Sequence, residues 1–146
     1  MRFPLGSPTL DAAARLMTPF VLLFAAYVVV HGHDSPGGGF QGGVLLAAAV
    51  ILVKLVRGRP AGWEIGTRTA LGLACAGVVL FAGIGVVPLF FGGSYLDYGV
   101  PQWLPGPTAT RVIGTLGIEI GVTLTVAGVL LVVFDALAAW GEEEPA

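Results

Sequence analysis

Of 146 residues, 55% are hydrophobic and only 11% charged, and the mean hydropathy is +0.89; soluble domains are about one-quarter charged. A water-soluble core of this size cannot hide so much apolar surface. The net charge of −2 leaves no basic footprint, which excludes nucleic acid as a partner.

Four apolar runs, at about residues 16–31, 36–56, 69–91 and 110–134, each approach the ~20 residues that a helix needs to cross a bilayer. They predict an all-α integral membrane protein with four transmembrane helices, a single domain over residues 1–146. The first run follows Arg15 and lacks a small-x-small cleavage site after Val30, so it is expected to stay as a helix.

Between the first two runs lies HGHDSPGGGFQGG at 31–43. Gly37, Gly39 and Gly42 satisfy GxGxxG, yet an apolar helix precedes them and Arg57 and Arg59 follow, where a dinucleotide site needs a strand and an acid. No Gly-Lys-Ser/Thr closes a Walker loop either. His31, His33 and Asp34 lack a second cluster to complete a metal shell, so no metal and no cofactor is expected. Both histidines titrate near neutral pH when unperturbed. They read either as polar residues ending a helix or as proton handlers at an outer mouth, with Asp34 beside them.

Asp34 or Ser35 followed by Pro36 has the pattern of an N-cap and first helical residue, which predicts a second helix from Pro36 through the glycines. Gly38 with Gly42, and Gly39 with Gly43, form overlapping GxxxG patterns. Another helix, expected in a neighbouring subunit, can approach that bare surface. Phe40 and Gln41 are the side chains placed to key into it.

Lys54, Arg57, Arg59 and Arg68 surround the second connection and Arg2 and Arg15 flank the N-terminus, while Arg111 alone adjoins the third connection. The positive-inside rule then puts both termini in the cytoplasm, and the acidic residues 142–144 weigh little against it. Lys54 and Asp135, near helix ends, are expected to snorkel to the interface. In the third run, the lone Cys75 forms no internal disulfide and holds no cluster. The Gly- and Pro-rich third connection is expected to be a loop without a helix, with Tyr95, Tyr98 and Trp103 as outer interfacial anchors and Trp63 and Trp140 as inner ones.

In the fourth run Glu119 falls about two and a half turns inside the apolar segment. A charge there costs at least ~2.5–3.5 kcal/mol, so it must face protein, water or a partner, or be protonated. Thr115 and Thr123 share its face at four-residue spacing, and Gly117 with Gly121 forms another GxxxG beside them. Two readings stand: proton or cation handling by Glu119, or a hydrogen-bonded acid that joins helices.

The segments GHDSPGGGFQGG at 32–43 and IEIGVTLTVAGVLLVVF at 118–134 resemble the B-subunit family of the Mrp (Mnh) multisubunit sodium/proton antiporters, over essentially the whole chain. Pro36, Gly37, Gly38, Gly39, Phe40, Gln41, Gly42 and Gly43 match the first motif, and Glu119, Gly121 and Val122 the second; His33 matches a common family histidine and His31 does not. The resemblance implies a non-enzymatic companion subunit in the plasma membrane. Its expected partners are the other membrane subunits, especially the large A subunit, with Na+ and H+ as the transported ions of the complex. Related subunits of redox-driven hydrogenases or respiratory complexes, and a purely structural scaffold, are the alternatives.

Overall fold

The computed structural model describes residues 7–32, 37–57, 65–100 and 106–143. They form α1 (Pro8–Val30), α2 (Gly39–Arg57), α3 (Thr67–Val86), a 3-10 turn over Val87–Phe91, and α4 (Pro107–Glu143). All four helices are long and apolar enough to cross a membrane. His33, Asp34, Pro36, Trp63 and Trp103 lie outside the described residues.

The helices pack in the spatial order α1, α2, α4, α3, so that α2 and α4 form the middle and α1 and α3 the flanks. Burial is inverted relative to a soluble protein. The buried apolar set is mostly alanine (Ala14, Ala25, Ala47, Ala49, Ala70, Ala74), while Phe20, Leu23, Phe90 and Trp140 are 60%, 70%, 82% and 80% exposed. Lipid solvates large apolar side chains as well as a protein interior does, so the chain keeps small residues for the seams, where close approach supplies the attraction.

The α3–α4 seam shows this most plainly. Side chains at Gly77, Gly121 and Gly128 would run into the backbone of the facing helix, at Gly121 O (2.5 Å), Gly77 O (3.0 Å) and Ala70 O (2.5 Å) respectively. Across the same seam the Thr125 hydroxyl, bonded within α4 to Gly121 O at 2.9 Å, also lies 3.4 Å from Ala74 O.

The observed helix ends differ from the expected ones for identifiable reasons. α1 begins at Pro8 in the first helical position, well before Arg15, and Asp11 in its first turn bonds both Arg15 (2.8 Å) and Arg57 of α2 (2.9 Å). α2 begins at Gly39, leaving Gly37 and Gly38 ahead of it, because Gly38 has φ +113°, a backbone conformation incompatible with a right-handed helix. α4 runs past Phe134 to Glu143, 37 residues or ~55 Å, well beyond the ~30 Å hydrocarbon layer.

Asp135 does not end that helix, nor does it snorkel. Its carboxylate is 4% exposed, accepts a bond from Lys54 at 2.8 Å, and takes the Thr67 hydroxyl at 2.9 Å, which ties α2, α3 and α4 together at one end. At the other end the connection after α3 folds back on the helices. The Leu96 amide donates to Gly85 O at 3.0 Å, the Tyr95 ring covers Gly85, and the Tyr98 ring covers Gly114 of α4. The two tyrosines therefore pack the connection onto α3 and α4, which is more than interfacial anchoring.

Candidate ion-handling site

Glu119 lies twelve residues into α4, ~18 Å along the helix axis, on the side that meets the end of α1 and the start of α2. Its two carboxylate oxygens stand 2.5 and 2.7 Å from where a side chain on Gly32 would begin, and Oε1 is 3.4 Å from that point on Gly38. Oε2 is buried. The acid thus occupies the space that Gly32 and Gly38 leave by having no side chains.

Three different demands make this junction glycine-rich. Gly32 clears room for the carboxylate, Gly38 adopts a positive φ, and Gly39 lies so close to α4 that a side chain would strike the Glu119 carbonyl and Val122 Cβ. The first intrahelical bond of α2 runs from the Gly42 amide to Gly38 O at 2.9 Å. The carboxylate therefore stands beside the N-terminus of α2.

Thr123, one turn further along α4, is 5% exposed. Its single hydroxyl proton is shared between Glu119 O at 2.7 Å and Gly39 O at 3.0 Å, which pins the first turn of α2 to α4. Its side chain serves the helix seam. Thr115, one turn the other way, is half-buried on α4.

The close approach expected of the glycine motif is made within this chain, and by two helices. Gly39 and Gly43 lie against Glu119, Val122, Thr123 and Val126 of α4, whereas Gly42 lies against Val29 and Ala25 of α1. Gly117 and Gly121 face α3, at Ile84 and at Gly77 and Phe81. Gly37, Phe40 and Gln41 are exposed, Phe40 at 65%, and so point away from both seams. His31 closes α1 with its ring stacked on Tyr27, centroids 4.2 Å apart.

Gly32, Gly77 and Gly128 carry roles that motif reading missed. The small-residue spacings Ala70, Ala74, Gly77 and Gly121, Thr125, Gly128 were the available signal. No group of three His, Cys, Asp or Glu side chains suited to a metal occurs among the described residues. Among the described residues the site offers the Glu119 carboxylate, with Oε2 buried, as a group able to hold or release one proton or to contribute an oxygen to a monovalent cation.

A family model described as a domain related to the MnhB subunit of Na+/H+ antiporter matches residues 9–132. The chain is 29% identical over 136 residues to the B subunit of a Na(+)/H(+) antiporter of Bacillus subtilis (strain 168), covering 92% of this chain and 93% of that one. It is 33% identical over 134 residues to a protein of Staphylococcus haemolyticus (strain JCSC1435) bearing the name of an antiporter subunit, mnhB2, covering 88% and 94%. A protein of the same name from Staphylococcus aureus (strain Newman) is 26% identical over 137 residues, covering 88% and 92%. With four membrane-crossing helices and a match spanning residues 9–132, this chain belongs to the family of domains related to the MnhB subunit of Na+/H+ antiporters.

Proposed function

We propose that this chain is an integral, non-enzymatic subunit of a multisubunit sodium/proton antiporter and that Glu119 takes part in the ion path. The observation that carries the ion role is the burial of its carboxylate against Gly32 and Gly38 at the N-terminus of α2. Gly32 and Gly38 together leave the room that this one acid takes up. Intramembrane carboxylates in protein-lined sites ordinarily handle protons or cations.

His33 and Asp34, which follow Gly32 directly in sequence, are retained as further proton-handling candidates. Pro36, Gly37, Phe40 and Gln41 are the residues assigned to contact with a neighbouring subunit, with the large A subunit the preferred neighbour. Both termini are assigned to the cytoplasm of a plasma-membrane protein. The names of the relatives support the antiporter over a redox-driven complex.

The test is Glu119→Gln, which keeps the size and removes the charge, measured as sodium-dependent proton exchange in everted vesicles alongside complex yield on a native gel. The expected outcome is normal assembly with exchange lowered at least tenfold, the scale of a lost ~1.4 kcal/mol in the transport barrier. Unchanged exchange in an intact complex overturns the ion role and leaves Glu119 as a helix-joining acid.

A further inference from the structure

From mid-helix towards the end of the molecule away from Glu119, a groove runs between the helices, and we propose that it seats one acyl chain of an anionic phospholipid whose phosphate rests at Arg15 and Arg57. Two cavities make up the groove. One of about 240 Å³ is lined by residues of all four helices, including Leu46, Val50, Leu73 and Leu124, and one of about 270 Å³ opens at Arg15, Pro19 and Arg57. Thr18, Leu22 and Val53 line both, so they adjoin.

The inner part is apolar in effect. The Thr18 hydroxyl is turned onto Ala14 O at 2.7 Å, and the Lys54 ammonium is held by Asp135 at 2.8 Å. The outer part is cationic: among the described residues Arg15 and Arg57 face one acid, Asp11, a net of one positive charge, and the Arg15 side chain is 67% exposed. Basic pockets between helices at the headgroup level suit anionic lipids.

Dimensions favour a chain over a protein helix. From Leu46 to Arg57 is eleven residues of α2, ~16 Å, close to the ~15 Å of one leaflet's hydrocarbon. A helix with its side chains is ~10–12 Å wide, so the two cavities, of about 240 and 270 Å³, would together hold only ~5 Å of its length, about one turn.

The experiment uses the intact complex in vesicles of either phosphatidylglycerol or phosphatidylcholine, each doped with the same lipid carrying a photoreactive group on its acyl chain, with adducts mapped by peptide mass spectrometry. Expected are adducts on α1 and α2 peptides containing Leu22 and Leu46, abolished by the groove-filling Val53→Phe. Leu22→Phe gives the same reading if Val53→Phe does not assemble. Arg15→Gln is expected to lower the phosphatidylglycerol preference about five-fold, the effect of one interfacial charge. Equal labelling in a filled variant overturns the proposal. So does crosslinking of Leu46→Cys, in a Cys75→Ser background, to another protein of the complex, which would make the groove a seat for a neighbouring helix.

Discussion

Gly39 and Gly72 both sit inside apolar helices, and what lies beyond their α-carbons separates them. A side chain at Gly39 meets the α4 backbone, whereas one at Gly72 meets nothing within 4 Å. Gly39→Ala is therefore expected to force α2 and α4 apart at a cost of ~1–3 kcal/mol, lowering the melting temperature and yield of the complex. Gly72→Ala should be neutral or stabilising by up to ~1 kcal/mol on helix propensity. Equal behaviour of the two variants in a thermal-shift assay would refute the seam geometry. Gly38→Ala fails for a separate reason, its φ of +113°, worth ~1–3 kcal/mol of backbone strain. The glycine motif was conspicuous in the sequence, but its three separate jobs were not, because composition does not say which neighbour each α-carbon meets.

Among elements, α4 carries both polar constellations, Glu119 under the α2 N-terminus and Asp135 bonded to Lys54 and Thr67. Removing one partner of a buried ion pair strands the other charge. Lys54→Met or Asp135→Leu alone is thus expected to destabilise by ~3–5 kcal/mol, while the double variant recovers most of the loss. A thermal unfolding cycle over the three variants checks this; additive losses would mean that the pair is not coupled. Snorkelling was the natural expectation for two charges near helix ends, since only the packing of α2 against α4 reveals that they meet.

The connection after α3 behaves as an element too, held by Tyr95 on Gly85 and Tyr98 on Gly114. Burial, and then the neighbouring Tyr95, push the Tyr98 phenol above its ordinary value of 10.0. A raised pKa in the folded state means that the contribution is fully present below pH 10 and falls as pH rises through the folded value. The connection is expected to loosen only under strong alkali. Phenolate absorbance of the folded protein should contain a late-titrating component from Tyr98, and Tyr98→Phe should abolish it.

For the whole molecule, the row α1, α2, α4, α3 exposes large apolar side chains on its outside and leaves a groove with a cationic mouth at the end away from Glu119. The sequence by itself determined the class: four apolar runs of crossing length, too few charges for water, and a glycine motif and buried acid matching one family of membrane subunits. Those properties follow from local composition, since bilayer thickness and the cost of charge in hydrocarbon act on each segment independently. The tertiary structure decided the rest. It showed that Gly32 and Gly38 clear space for Glu119, that Gly39 and Gly42 serve two different helices, and that Asp135 is paired far along an unexpectedly long α4. In lipid, helices associate through close contact and polar bonds between residues distant in the chain, and such pairings exist only once the helices are placed side by side.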